Sequence, residues 1–334
     1  MNVKRVTLQD IADATGVTVN TVSRALKNKS DISRATCERI QRVAADMGYV
    51  KNFMASSLRS GRTRIIAMIC GGMINPYYGI LADSIQLEAL RLGYSLLILA
   101  SRDDPELERQ AVEMAIARQV DGVLLFPGIG NCTSLDTLKT SGLPFVVMSR
   151  DLENEPDVDR VICDEEKGGR LAAEHLIAEG HRKLAFLSSF DVVYSTRMRF
   201  KGFREAALEA GIPESDIFSA ICWSAEDITR TLLSWHESGV TGLFTFCDME
   251  AWNAIDLLRR QGLSVPGDFG VVGFDNIQGA INLSTPMCSV DGSLQEEAAL
   301  GIKMLRDRIH HPELPPQTKI LDVSLVCRES CKKA

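Results

Sequence analysis

Between residues 64 and 326 the chain alternates between two kinds of segment. Short β-branched or leucine-rich runs occur at 64–70, 95–100, 122–126, 144–149, 160–163, 183–188, 217–221, 241–246, 270–274, 287–290 and 318–326. Amphipathic helical stretches separate most of them, at 77–92, 104–119, 133–141, 165–180, 197–210, 225–238, 249–261 and 293–310. A strand that returns through a helix pairs in parallel with the strand before it, and the helix covers one face of the sheet. The repetition therefore predicts an α/β body of doubly wound parallel sheets. Eleven strand runs are about twice what one such sheet usually holds. Two Rossmann-like lobes are expected, about 64–162 with 291–319 and 163–290 with 320–330. A ligand would sit between them, at the carboxyl ends of the strands.

Several chemistries find no support. No apolar run approaches the ~20 residues of a membrane span. The N-terminus enters a polar helix without an apolar leader segment, so a cytoplasmic location is expected. The nine cysteines form no CxxC pair and read as reduced thiols. Cys327 and Cys331 lie close together, but no histidine pair accompanies them at zinc-finger spacing. Gly128-Ile129-Gly130 lacks the third glycine of a dinucleotide loop. Asp164, Glu165 and Glu166 are consecutive and read as the acidic first turn of a helix, not as a catalytic pair. His175 and His181 straddle a helix end and read as structural. No catalytic constellation, metal set or cofactor site emerges, so the chain is not expected to be an enzyme.

Charge separates the head of the chain from its body. Residues 1–64 carry twelve Lys or Arg against five Asp or Glu, a net +7; the whole chain is −7, which leaves −14 on the other 270 residues. A basic head on an acidic body suits a polyanionic partner. Thr7 caps a helix starting at Leu8, Gly16-Val17 breaks it, and Thr18 caps a second helix over Val19–Leu26. Ser33 caps a third helix that runs to about Met47, before Gly48. Ala12 permits close helix approach, and Val22, Ala25 and Leu26 face inward. Thr18, Val19, Asn20, Ser23 and Arg24 are left on the outer face, an arrangement that suits a helix-turn-helix reading the DNA major groove.

Val6–Leu26 (VTLQDIADATGVTVNTVSRAL) resembles the N-terminal signature of the LacI/GalR family of transcriptional regulators. The resemblance continues through Tyr49, Asn52 and Ala55–Leu58, then through Val120–Gly122, Glu174–Leu176, Gly180–Arg182, Val271–Asp275 and Arg328–Ser330. It implies a helix-turn-helix domain over 1–50, a hinge helix or linker over 51–63, and a periplasmic-binding-protein-like sensor and dimerisation body over 64–334. By position it implies phosphate contacts from Thr7, Thr18, Thr21, Ser23, Thr36 and Asn52, and base contacts from Val19, Asn20 and Arg24. Tyr49 and Ala55 join this DNA-binding set, and Leu58 becomes the wedge inserted at the operator centre. Lys51 departs from the family, which usually places proline there.

For the sensor, residues that follow strands are the candidates. Tyr77 and Tyr78 either stack on a ligand ring or pack their own helix. Arg150, Arg199, Trp223, Asp248 and Asp275 supply the charged and aromatic groups that sugar recognition uses. The resemblance strengthens Tyr77, Tyr78, Arg199, Trp223 and Asp275, and Ser195 completes the effector set. Ser149 and Cys247 stand where the family often has Asp and Asn, which makes the pocket less polar. The expected protein is a dimeric repressor of a pseudo-palindromic operator, controlled by a small molecule, with a sugar or sugar derivative favoured over a purine. A sugar-transport protein and a sugar-acting enzyme are the rival readings. No heptad segment follows the last strand, so a dimer is expected instead of a tail-mediated tetramer.

Overall fold

The computed structural model describes residues 6–50, 61–128, 133–152, 155–190, 193–277 and 286–332. The chain divides into two units, residues 1–63 and 64–334.

Three helices make up the described part of the first unit: α1 (Leu8–Thr15), α2 (Val19–Ala25) and α3 (Arg34–Asp46). Each begins at a hydroxyl cap, in which Thr7, Thr18 and Ser33 accept from the amides of Asp10, Thr21 and Thr36. The Thr7 cap is reciprocal, since Asp10 accepts from the Thr7 amide at 2.7 Å. Gly16 ends α1 at φ 68°, a left-handed conformation that costs a glycine little. Ile11, Ala12, Val22, Ala25, Cys37, Ile40 and Ala44 form the core, with Leu26 only half-buried at its edge.

The second unit holds two six-stranded sheets. The first contains β1 (Ile65–Cys70), β2 (Ser95–Ala100), β3 (Gly122–Leu125), β4 (Phe145–Met148), β5 (Arg160–Cys163) and β11 (Thr318–Leu321), in the order β11-β5-β4-β3-β1-β2. The second contains β6 (Leu184–Ser188), β7 (Ile217–Ile221), β8 (Gly242–Thr245), β9 (Gly270–Phe274), β10 (Cys288–Asp291) and β12 (Ser324–Val326), in the order β12-β10-β9-β8-β6-β7. The helices that link strands within the first sheet are α4 (Pro76–Arg91), α5 (Pro105–Ala117) and α6 (Thr133–Ser141). Those of the second are α8 (Tyr194–Glu209), α9 (Ala225–Glu237) and α10 (Asp248–Arg260). Helices α7 (Glu165–Ala178) and α11 (Leu294–His310) follow β5 and β10 as the chain changes lobe.

Burial follows strand position. Central β1 is buried along Ile66–Cys70, as a strand covered on both faces must be, whereas edge strands β2 and β7 are partly exposed. Each lobe has the same layout, with its first strand between the second and third, so the winding reverses beside that first strand.

Three features differ from the sequence reading. The run 318–326 is two strands, because the chain leaves the first sheet after Leu321 and joins the second at Ser324. Val323, between them, is buried in the second lobe's core. The second sheet is not wholly parallel, since β12 pairs antiparallel with β10. This follows from the crossing: β11 runs toward the junction of the lobes, so its continuation enters the other sheet running away from it. Finally, α8 starts at Tyr194, not 197; its cap residue Val193 offers no side-chain bond, so no polar signal marks the start.

Candidate functional site

The head presents one coherent face. Burial of Val22 and Ala25 fixes the rotation of α2, so Asn20 is exposed while Val19, Thr21, Ser23 and Arg24 are half-buried. Thr18 Oγ1 lies 2.9 Å from Thr21 Oγ1, which holds both hydroxyls at the positive end of the helix. Arg24 is paired: its Nε donates to Asp31 Oδ2 at 2.7 Å and its Nη2 lies 2.6 Å from Oδ1. That hydrogen bond is the first cause raising the guanidinium pKa and lowering that of the Asp31 carboxyl. Gln41 Nε2 donates to Ala25 O at 3.2 Å and to Asn28 Oδ1 at 2.7 Å, bracing the end of α2 against α3. Thr36 lies in the Ser33 cap, with its hydroxyl 2.8 Å from Ser33 Oγ. Tyr49 is half-buried against the head core. Lys51, Asn52, Ala55 and Leu58, with the rest of the expected hinge over 52–60, lie outside the described residues.

In the body, the chain changes lobe at the carboxyl ends of β5, β10 and β11. These ends of the two sheets therefore face one another, and two buried polar groups meet there. On the first lobe, Tyr77 Oη lies 2.6 Å from Ser149 Oγ, and Ser149 Oγ donates to Glu297 Oε1 at 2.5 Å. Glu297 is fully buried, and desolvation pushes its carboxyl up to about 7 despite the bonds from Ser149 and Tyr77. On the second lobe, Arg199 Nε donates to Glu165 Oε2 at 2.5 Å, and Arg199 also donates to Phe246 O. The guanidinium lies 3.5 Å from the ring centroid of Phe274 and 4.6 Å from that of Phe246.

Asp275 follows β9 at φ 104° and is held well above the usual carboxyl range, first by desolvation, with Arg199 pulling the other way. Ser149 is also left-handed, at φ 64°. Such backbone in non-glycine residues is expensive and concentrates where side chains are aimed at a ligand. Two buried carboxyl groups, Glu165 and Asp275, thus act on one guanidinium, and a third, Glu297, is held by Ser149 and Tyr77. Arg150 adds a contact between lobes, its guanidinium 5.7 Å from the Phe190 ring centroid and donating to Pro127 O at 2.8 Å.

The other candidates are placed differently. Tyr78 is buried in the first lobe's core, edge-on to Phe126 at 5.9 Å. Ser195 is buried in the first turn of α8, four residues before Arg199. Trp223 is 73% exposed beyond edge strand β7. Asp248 is fully buried and committed to structure, accepting from Ser289 Oγ at 2.6 Å and from the Ile277 amide at 2.9 Å. Cys247 is buried and makes no side-chain cap bond at the start of α10.

Glu297 and Glu165 are the residues that sequence reasoning missed. Each stands in the acidic first turn of a helix, a pattern that solvated carboxylates share.

Comparison with known proteins agrees with this architecture. Residues 7–52 match the model of bacterial regulatory proteins of the lacI family, and 173–331 match the periplasmic binding protein-like domain. The chain is 33% identical over 302 residues to the HTH-type transcriptional regulator DegA of Bacillus subtilis, covering 88% of this chain and 89% of that one. It is 29% identical over 332 residues to the HTH-type transcriptional repressor PurR of Mannheimia succiniciproducens, covering 98% and 99%. Among solved structures it is similar to a complex of transcriptional regulator CelR with cellobiose (TM-score 0.71, 28% identity, 98% and 100% coverage). It also shares the fold of the lac repressor dimer bound to operator and the anti-inducer ONPF (TM-score 0.83, 24% identity, 99% and 100% coverage). These relatives are regulators of transcription and not enzymes, and among the described residues no helix is long and apolar enough to cross a membrane. With a capped helix-turn-helix at its head and an effector-binding body of two doubly wound lobes, the chain belongs to the lacI family of DNA-binding transcriptional regulators.

Proposed function

We propose that the protein is a cytoplasmic repressor that binds a pseudo-palindromic operator as a homodimer and is controlled by a neutral, hydroxyl-rich small molecule, a sugar or sugar derivative, held between its lobes. The observation that carries the ligand class is the set of buried carboxyl groups where the lobes meet, Glu165 and Asp275 beside Arg199 and Glu297 beside Ser149 and Tyr77. The Arg199 guanidinium is already committed to Glu165, so an anionic ligand such as a sugar phosphate would have to displace that carboxylate, whereas hydroxyl groups pair with the carboxyl groups and with Ser149 and Tyr77. The cellobiose complex of the similar regulator CelR supports the same class. Tyr77, Arg150, Ser195, Arg199 and Asp275 are proposed as the effector site, with Trp223 as an outer wall. Tyr78 and Asp248 support them from within the lobes.

On DNA, Thr7, Thr18, Thr21, Ser23 and Thr36 are assigned to phosphates and Val19, Asn20 and Arg24 to base edges. Tyr49, at the end of the head, and Asn52, Ala55 and Leu58, in the hinge, complete the DNA-binding set, with Asn52 on a phosphate and Leu58 as the minor-groove wedge. The test is a thermal-shift screen of neutral sugars, sugar phosphates and purines, with hits carried into operator-binding titrations. A true effector raises Tm progressively with its concentration and changes operator affinity. Response to purines or sugar phosphates alone would displace the neutral-sugar reading. Leu58→Ala should reduce both specific binding and DNA bending, and unchanged bending would remove the wedge.

A further inference from the structure

The second lobe brings together four metal-ligating side chains that are far apart in sequence. His175 lies on α7, Cys288 on β10, and Cys327 and Cys331 in the tail that follows β12. The donor atoms of His175, Cys288 and Cys331 all lie within 4.8 Å of one another, the only such group of His, Cys, Asp or Glu among the described residues. Cys327 Sγ is 3.9 Å from His175 Nδ1. His175 Nε2 is buried and has no hydrogen-bond partner among the described residues. A buried ring nitrogen in that position, beside thiols, calls for a polar partner.

We propose that His175, Cys288 and Cys331, with Cys327 as the fourth ligand, form a tetrahedral site for a thiophilic divalent cation, zinc foremost, which fastens the tail to α7 and β10. Thiolate and imidazole donors in a three-to-one ratio are a structural zinc set. Bond lengths of about 2.3 Å to sulfur and 2.0–2.1 Å to nitrogen place tetrahedral donors roughly 3.4–3.8 Å apart. His175, Cys288 and Cys331 approach that spacing, and the exposed Cys327 turns in from the His175 side to join them.

The surroundings are already ordered. The Arg328 amide donates to Cys288 Sγ at 3.1 Å, and Ser330 Oγ accepts from the Cys288 amide at 2.8 Å. Arg328 anchors the tail by donating to Met287 O at 2.7 Å and to Asn276 Oδ1 at 2.6 Å. Amide donors to sulfur and a fixed backbone are the outer-shell support that thiolate ligands use. Cys288 and Cys331 are fully buried while Cys327 is exposed, so the cation would enter from the Cys327 side. Each cysteine gives up its proton on binding, so uptake releases up to three protons per cation.

The test is Co2+ titration of the full-length protein, reduced with a phosphine, followed by displacement with Zn2+. The expected result is one Co2+ per chain with thiolate-to-metal charge-transfer absorption, lost on adding Zn2+, and a Tm that rises with free Zn2+. Cys288→Ser and Cys331→Ser should abolish the absorption. Cys327→Ser, at an exposed position that folding tolerates, should weaken binding at least tenfold, and Cys222→Ser, at a remote buried thiol, should change nothing. Folded, reduced protein without charge-transfer absorption would overturn the proposal. So would binding unaltered in Cys327→Ser together with Cys288→Ser. A Cys288–Cys331 disulfide in protein that takes up no Co2+ would mark a redox pair and overturn it as well.

Discussion

Gly169 on α7 and Gly202 on α8 sit against each other's helix so closely that a Cβ on Gly169 would lie 1.9 Å from Arg199 O, and one on Gly202 1.8 Å from Glu166 O. The obstacle in each case is backbone, which cannot turn aside. The contact lets Glu165, on the first turn of α7, reach Arg199 on α8. Gly169→Ala or Gly202→Ala should therefore push the helices apart and destabilise the body by about 1–3 kcal/mol or more. Urea unfolding reads the loss, and effector response should fall with it.

Arg199 and Glu165 form a buried pair, with side chains 8% and 3% exposed. Removing one partner strands the other. Arg199→Met should cost about 3–5 kcal/mol, and adding Glu165→Gln should recover a large part of that. A double-mutant cycle by denaturant unfolding checks the coupling, and additive losses would show that the two charges do not depend on each other.

Glu297 carries a pH signature. Its carboxyl ionises at about 7 in the folded protein against an ordinary 4.5. The folded state thus holds the proton that the unfolded state has released across this window. The stabilisation from this group is fully present below about pH 4.5 and is lost as pH rises through about 7. Glu297→Gln keeps a hydrogen-bonding side chain without the charge, so its stability relative to the parent protein should climb between pH 5 and pH 8 (roughly the window of that shift). A difference that does not change with pH would mean that Glu297 stays ionised.

Thr18→Ala removes the α2 cap and should cost about 1 kcal/mol of head stability, with weaker operator binding in addition. Thr18→Ser keeps the oxygen and should restore the stability lost. Amide hydrogen exchange over Val19–Ala25 separates fraying of the helix from loss of a phosphate contact.

Asp31 holds the Arg24 guanidinium that the proposed base contact requires. Asp31→Asn should raise operator affinity several-fold, and Arg24→Ala should cost roughly 5- to 150-fold at a single base-pair position. Titrations against operators mutated one position at a time provide the check. A uniform loss would assign Arg24 to phosphate.

The parts of this molecule legible in its sequence are those set by local chemistry. The hydroxyl caps at Thr7, Thr18 and Ser33, the Gly16 turn and the unbroken apolar run of β1 all follow from a few neighbouring residues. What was illegible depends on long-range placement. Leu321 and Ser324 sit in one β-rich run, yet they belong to different sheets because the chain changes lobe between them. Glu165 and Glu297 look like ordinary first-turn acids, and only the packing of α7 on α8 and of Tyr77 on Ser149 makes them buried partners. His175 reads as structural because Cys288 and Cys331 are distant in sequence.

The three changes of lobe bear on how the protein is made. The first sheet gains α11 and β11, and the second gains β12, only from residues after 293. A ribosome that has released the first 293 residues has made ten of the twelve described strands and completed neither lobe. Both unfinished sheets then carry an open strand edge, β5 in one and β10 in the other. The nascent body should depend on chaperones until its last segment emerges, while the head, whose described core draws only on residues 6–49, can fold early. Truncated products would therefore carry a folded head with no completed body to pair it.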